Sequence, residues 1–170
     1  MYKHIPDIIQ ENAKIVHRNF AGATSTYNPT GKRTFSLVIE DPELAAKLID
    51  DGWLVKRFKN ARNDGEEPGY FLPVQVSYKA YPPKIYIVNK DNVRLLREDE
   101  IKEIDDFEIA NVDLDVRPYC WEVRGESGVT AYLKSMYITI VEDVFADKYH
   151  QIYGRKEAAP DVNEEAPWDV

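Results

Sequence analysis

The sequence predicts a mainly β fold, a small Greek-key barrel or sandwich elaborated by extra hairpins and one or two short helices. Apolar and polar residues alternate with a period of two in segments such as 33–40 and 111–118. This alternation is typical of half-buried strands. Glycine, asparagine and proline separate the alternating runs, which indicates turns between short strands. A chain of 170 residues is long enough for one domain with a substantial core.

The predicted strands share apolar residues at alternate positions and stop at turn-forming residues. In chain order they cover 14–20, 33–40, 53–60, 70–80, 84–88, 93–96, 111–118, 119–123 and 129–141. Pro73 interrupts one of these runs and indicates an edge strand or a bulge, because proline cannot donate a ladder hydrogen bond. The run RGESG at 124–128 predicts the turn of a hairpin between the last two strands.

Helices are predicted where the apolar spacing changes and capping residues appear. In 41–52, Asp41 can cap the first turn, Pro42 suits the first helical position and Gly52 ends the helix. An acidic helix is expected at 98–106 and a terminal helix at 142–154. We therefore expect residues 1–154 to form the domain and residues 155–170 to form a tail.

The tail is acidic and carries one large aromatic residue. Residues 157–170 contain five acidic residues, no basic residue, two prolines and Trp168. Such a segment cannot bury enough apolar area to offset its ordering entropy, so disorder is expected. The tail either only aids solubility or acts as a docking peptide whose tryptophan fills a partner's pocket. The predicted partner-binding residues are Glu164, Glu165, Pro167, Trp168 and Asp169.

Charge is divided along the chain. The net charge is −8, yet residues 13–62 contain nine basic and five acidic residues. An acidic tail tethered to a cationic groove has a high effective concentration there and can compete with an anionic ligand. If the basic segment forms such a groove, deleting residues 157–170 should strengthen its binding to an anionic ligand.

Cations interleaved with aromatic residues point to such a groove. Single-stranded nucleic acid is held by cations along its phosphates and by rings on which its bases stack. The opposing interpretation is that the rings only pack in the core, as aromatic residues in β proteins often do. The predicted DNA-contacting residues are Lys14, Arg18, Tyr27, Lys32, Arg33, Trp53, Arg57, Lys59, Lys84 and Tyr86, with Lys134 and Tyr137 as weaker additions.

Other chemistries find little support in the sequence. The single cysteine, Cys120, cannot form an internal disulfide and weakly indicates a reducing cytosol. Three scattered histidines have no metal-ligand spacing, so we expect no metal and no other cofactor. Asp113 and Asp115 share one strand face and leave a two-metal nuclease as an alternative, but alternating polar residues more often mark the wet face of a strand. The run lengths and N-terminus show no membrane span or signal peptide.

Several segments together resemble small bacteriophage single-stranded DNA-binding proteins. The similar segments are 27–33 (YNPTGKR), 51–53 (DGW), 66–74 (EEPGYFLPV), 82–86 (PPKIY), 111–114 (NVDL) and 131–137 (AYLKSMY). The resemblance extends through most of residues 13–150 and rests on whole segments rather than on one diagnostic motif. In this family an acidic tail ends in an aromatic tip; here Pro167-Trp168 stands at that place, but Asp169 and Val170 follow it.

The resemblance implies an oligonucleotide/oligosaccharide-binding (OB) barrel that coats exposed DNA during phage replication and recombination. It implies a protein without catalytic activity in the cytoplasm of the infected bacterium. The tail would recruit a polymerase, primase, helicase or recombinase, and self-association is left open. The alternative from another class is a phage structural or assembly protein with a β-sandwich fold and no affinity for nucleic acid.

Overall fold

The computed structural model describes residues 4–61, 65–90 and 92–141. Nine strands and two helices occur in these ranges. The strands are β1 (Ile8–Gln10), β2 (Ile15–Asn19), β3 (Thr34–Ile39), β4 (Lys56–Arg57), β5 (Tyr70–Gln75), β6 (Lys84–Asn89), β7 (Asn92–Leu95), β8 (Ile109–Val123) and β9 (Glu126–Ile140). The helices are α1 (Pro42–Asp51) and a 3₁₀ helix (Glu98–Asp106). The helix predicted at 142–154 and the tail at 155–170 lie outside the described residues and stay predictions.

Strand pairing confirms the predicted mainly β fold with an OB-like Greek-key barrel. The order β1-β8-β9-β5-β3-β2 is antiparallel throughout, except for the parallel pair of β5 and β9. Its two ends meet because β1 and β2 belong to one segment that changes partner between Ala13 and Lys14. The N–H of Ala13 donates to Val112 O at 2.8 Å, whereas Lys14 O accepts from the N–H of Val38 at 2.9 Å. The pairing therefore returns to its start, as in an OB barrel.

The core consists of the inward-facing residues of these strands. In β3, Phe35, Leu37 and Ile39 are at most 2% exposed, as their alternation predicts. Inward residues of β5, β8 and β9 join them in one hydrophobic cluster. Each fully buried large apolar side chain contributes about 1.5–3 kcal/mol relative to exposure. Burial of the inward set thus leaves the outward residues of the same strands available for binding.

Pro73 lies in the middle of β5 at a position where the strand changes partner. On one side of β5, Pro73 pairs with Ser36 of β3. On the other side, β4 pairs as far as Phe71 and β9 pairs from Val74 onward. Proline therefore occupies the gap between two ladders, where its missing N–H costs no hydrogen bond.

Helix α1 begins and ends at the predicted residues. The side chain of Asp41 accepts a hydrogen bond from the N–H of Glu43 at 2.9 Å. Gly52 has a φ of 101° and donates to Ile49 O at 3.0 Å, a conformation that glycine adopts without strain. Gly52 O also accepts from the N–H of Val129 at 2.9 Å. The end of α1 is thereby attached to β9.

Several predicted boundaries are wrong. The strand expected at 53–60 is only the two-residue β4, and the strand expected at 70–80 ends at Gln75. The two strands expected at 111–118 and 119–123 are one continuous strand, β8, and β1 was not predicted. Neither α1 nor the 3₁₀ helix, the two helices in the described ranges, is long and apolar enough to cross a membrane.

Candidate functional site

A groove of about 720 Å³ lies on the outer surface of the barrel. Its walls come from the loop between β2 and β3, from residues that follow β5, and from the start of the 3₁₀ helix. The lining residues are Thr30, Gly31, Lys32, Arg33, Gln75, Val76, Ser77, Tyr78, Lys79, Glu98 and Tyr132. Three of them are cationic and one is anionic, so the groove is net positive and suits an anionic ligand.

The loop between β2 and β3 is held in shape by Asn28. Its amide nitrogen donates to Ala23 O at 3.0 Å and to Lys32 O at 2.9 Å, and its amide oxygen accepts from the N–H of Lys32 at 3.0 Å. Tyr27, one residue earlier, is 99% exposed. A fixed loop thus presents a free tyrosine ring on the same segment as Lys32 and Arg33.

Arg33 is the most constrained cation of the groove. Its Nη1 lies 2.9 Å from Oε2 of Glu98, and its guanidinium lies 5.6 Å from the ring centroid of Tyr78. The hydroxyl of Tyr78 is buried and has no hydrogen-bond partner. Burial raises the pKa of Tyr78, and the nearby charge of Arg33 partly opposes this effect. The groove therefore contains the hydroxyl of Tyr78, a donor without a partner, beside Arg33, a cation held by an ion pair.

Arg117 lies between two tyrosine rings, of which one, Tyr132, lines the groove. Its guanidinium is 4.9 Å from the ring centroid of Tyr81 and 5.0 Å from that of Tyr132. Tyr119 meets Tyr132 edge to face at 5.9 Å. Within the described chain the side chain of Arg117 has no ion pair or hydrogen bond, and its Nε is buried without a partner. Its charge is thus held by rings and left without an anion.

Tyrosines 81 and 119 complete an exposed aromatic surface around Arg117. Tyr81 is 70% exposed and Tyr119 is 54% exposed. We call Tyr81, Arg117, Tyr119 and Tyr132 the tyrosine–arginine cluster. Because every base has a flat face, rings exposed beside a cation can hold single-stranded nucleic acid without reading its sequence.

The β8–β9 hairpin gives the cluster its register. Arg124 and Gly125 both have positive φ, at 52° and 83°, which is typical of the two central residues of a tight hairpin turn. From this turn the register runs without a shift to the pair Arg117 and Tyr132. Between the turn and this pair, Trp121 lies opposite Gly128, and a Cβ added at Gly128 would lie 2.7 Å from Cζ2 of Trp121. Glycine thus allows the indole to cross the hairpin.

Of the predicted DNA-contacting residues, the structure brings Lys32 and Arg33 together in the groove, with Tyr27 on their loop. Arg57 and Lys59 lie elsewhere, on and beside β4. The Nη2 of Arg57 is 3.0 Å from Oε2 of Glu67, and Lys59 is exposed. These two residues are accessible but do not line the groove.

Three side chains that were predicted to contact DNA instead pack in the core or bind to other residues of the protein. Trp53 is 3% exposed and bridges to Val129, so its ring offers no face to a base. The Nη1 of Arg18 donates to Ile104 O at 2.7 Å and to Phe107 O at 2.8 Å. The remaining residue is Lys14, whose Nζ lies 2.8 Å from Oε1 of Glu40 on the protein surface.

The last four predicted contacts lie on β6 and β9. Tyr86 and Tyr137 stack on each other with centroids 4.5 Å apart and an interplanar angle of 10°, so each ring covers one face of the other. The Nζ of Lys134 lies 3.4 Å from Asp7 and 3.9 Å from Asp115. Lys84 is exposed. These residues form a second surface, separate from the residues that line the groove.

The carboxylates considered for metal catalysis have other partners. Oδ1 of Asp113 accepts from the N–H of Asn12 at 3.1 Å and from the amide of Asn111 at 3.2 Å. Burial and the adjacent Asp7 raise the pKa of Asp115. Among residues 4–61, 65–90 and 92–141, no three histidine, cysteine or acidic side chains are grouped closely enough to hold a metal ion.

Sequence reasoning missed most of the groove and its cluster. The missed residues are Tyr78, Lys79, Tyr81, Arg117, Tyr119 and Tyr132. One signal was present, because a two-residue turn at Arg124 and Gly125 places Arg117 opposite Tyr132. The predicted partner-binding residues 164, 165 and 167–169 lie outside the described part of the chain.

Comparison with known proteins gives one family and one group of similar structures. The family model described as "Putative phage ssDNA-binding domain" matches residues 1–169. The single-stranded DNA-binding protein of bacteriophage Enc34, solved in complex with ssDNA, is similar with a TM-score of 0.52 and 15% identity, over 81% of this chain and 88% of that chain. Another structure of the Enc34 protein gives a TM-score of 0.50 and 13% identity, over 85% and 90%. No curated protein matches the sequence.

Proposed function

The chain belongs to the family of phage ssDNA-binding domains, and from this premise we propose that it binds single-stranded DNA, without sequence preference, through the groove and the tyrosine–arginine cluster. The observation that carries this proposal is Arg117. Its guanidinium is held between Tyr81 and Tyr132 and has no anionic partner in the described chain. A phosphate supplies the missing anion, and the exposed rings supply stacking surfaces for bases.

The barrel supports the same location. OB barrels bind oligonucleotides on the face of their second and third strands and with the loops that flank it. Those strands correspond here to β3 and β5, and the flanking loops are 20–33 and the β8–β9 turn. The groove lies between the first of these loops and Tyr132 of β9. An extended strand of DNA can therefore cross from the cations of the loop to the rings of the hairpin.

The direct test is the salt dependence of binding to labelled oligo(dT), measured by fluorescence anisotropy. If Lys32, Arg33, Lys79 and Arg117 each neutralise one phosphate, log K falls against log salt with a slope of about −2.8, since each phosphate contributes about −0.7. Arg117→Gln is expected to weaken binding and to reduce the slope by about 0.7.

The matched control is Lys47→Gln. Lys47 is an exposed cation of α1 that borders a different cavity, near Ile8 and Trp53. It should leave both affinity and slope nearly unchanged. Absence of any binding to oligo(dT) by the unaltered protein would refute the proposal, and would favour a structural or assembly role instead.

We further propose that the chain acts during phage DNA replication or recombination in the infected bacterial cell, as a binding protein and not an enzyme. Its acidic tail would recruit a replication or recombination protein through Trp168 and the neighbouring acidic residues. Full-length protein and a Trp168→Ala variant can be compared as baits for the phage polymerase, primase, helicase and recombinase. Equal capture by both baits would contradict the docking role of Trp168.

A further inference from the structure

Glu98 lies in the groove as its one anionic lining residue, within the described chain. Its Oε2 is 2.9 Å from Nη1 of Arg33, and the two side chains are 55% and 30% exposed. The other lining cations, Lys32 and Lys79, have no ion pair among the described residues. One cation of the proposed DNA site is therefore already paired when no DNA is bound.

The guanidinium of Arg33 has little freedom to serve two anions. It lies over the ring of Tyr78 at 5.6 Å from the centroid, and a ring on one side limits the directions of approach. A phosphate that reached the paired edge would lie beside the carboxylate of Glu98, where two negative charges repel each other. Binding of a phosphate at this edge of Arg33 thus requires Glu98 to leave.

Glu98 can leave without disturbing the helix it begins. The one hydrogen bond of its side chain in the described chain is the bond from Arg33. The adjacent helix is held by other residues, since Oε1 of Glu100 accepts from the N–H of Arg97 at 2.9 Å and its Oε2 accepts from Arg94 at 2.9 Å. A half-exposed side chain in this position can turn to solvent at the cost of one surface ion pair.

We propose that Glu98 is an internal competitor for the DNA phosphate at Arg33, an inference that rests on the proposed function. In the free protein the carboxylate holds Arg33 over Tyr78 and keeps it pre-positioned. When DNA enters the groove, a phosphate takes the place of the carboxylate. The exchange lowers affinity, and so Glu98 sets how readily DNA is released.

The test is a double-mutant cycle on oligo(dT) affinity with Glu98→Gln and Arg33→Gln. Glu98→Gln should tighten binding by about two- to fivefold at low salt, the range that corresponds to the loss of an exposed ion pair. The gain should shrink as salt rises, because salt screens the pair in the free protein. In a protein that already carries Arg33→Gln, Glu98→Gln should increase the affinity for oligo(dT) no more than the removal of an acidic charge outside the groove does.

Glu103→Gln measures that remote effect. Glu103 is exposed on the same 3₁₀ helix, does not line the groove and has no ion pair in the described chain. Removal of its charge should tighten binding by less than about twofold, since salt screens a charge outside the groove. Thermal melting of each variant shows whether its fold is retained.

Two outcomes would overturn the inference. In one, Glu98→Gln and Glu103→Gln have equal effects; in the other, Glu98→Gln tightens binding as much without Arg33 as with it. Either result would show that Glu98 acts only as a distant charge. Failure of the proposed function looks different, because the unaltered protein would then not bind oligo(dT) at any salt concentration.

Discussion

Substitution of Arg18 can show whether this cation of the basic segment stabilises the fold or contacts a DNA phosphate. The structure gives its Nη1 two hydrogen bonds, to Ile104 O at 2.7 Å and Phe107 O at 2.8 Å, which join β2 to the end of the 3₁₀ helix. A hydrogen bond from a charged donor contributes about 1.5–3 kcal/mol. The two bonds share one nitrogen, so we expect Arg18→Met to lower the free energy of unfolding by about 3 kcal/mol. Methionine retains an apolar stem in the space of the arginine stem.

The assay is thermal unfolding followed by circular dichroism, paired with oligo(dT) binding well below the melting temperature. A loss of about 3 kcal/mol lowers Tm by roughly 10 °C in a domain of this size. Lys14→Met is the matched control, since the ion pair of Lys14 with Glu40 is exposed and is expected to contribute less than about 1 kcal/mol. An unchanged Tm, together with a salt slope flatter by about 0.7, would show that Arg18 contacts phosphate and that our reasoning is wrong.

Three further predictions concern the barrel surface. Tyr132→Leu should weaken oligo(dT) binding by roughly five- to 150-fold in anisotropy titrations, if one base stacks on this ring. Tyr137→Leu should change affinity less, because Tyr86 covers one face of its ring. Gly128→Val should lower Tm through its clash with Trp121, and adding Trp121→Leu should restore part of the loss. Asp115→Asn should raise Tm at pH 7 but not at pH 3. The raised pKa of Asp115 means that its ionisation opposes folding, and this cost appears as pH rises from the ordinary carboxyl pKa of about 4 through the raised value.

The parts of the fold that depend on local sequence were predicted well. The alternation in β3 and β8 identifies their inward residues, and Asp41 and Gly52 identify both ends of α1. Each of these features depends on residues close together in the chain. The segment 53–60 shows the limit of such reasoning, because its alternation suggests a strand while a bridge to Val129 draws Trp53 into the core. That contact joins residues 76 positions apart, and no local pattern reports it.

The tyrosine–arginine cluster shows which long-range contacts a sequence can still reveal. Arg117 and Tyr132 are opposite each other because the two-residue turn of the hairpin sets the register of β8 against β9. Their contact can therefore be predicted from the position of the turn. Tyr81 reaches Arg117 by another route, since it follows β5, and β5 pairs with β9 in parallel with Gln75 beside Tyr132. A parallel pair has no connecting turn to count from. Its register, and hence the place of Tyr81 beside Arg117, depends on the packing of the whole barrel.

Counting cations along the chain overestimates the number available to a ligand. Arg18 donates to two carbonyl oxygens, Arg33 pairs with Glu98, and Arg57 pairs with Glu67. Arg117 was not on the predicted list, yet it is held by tyrosine rings and not by a carboxylate. A ring orients a guanidinium without neutralising it, so Arg117 keeps its full charge for a phosphate. For a protein with a net charge of −8, affinity for DNA then depends less on how many cations it carries than on which side chains hold them.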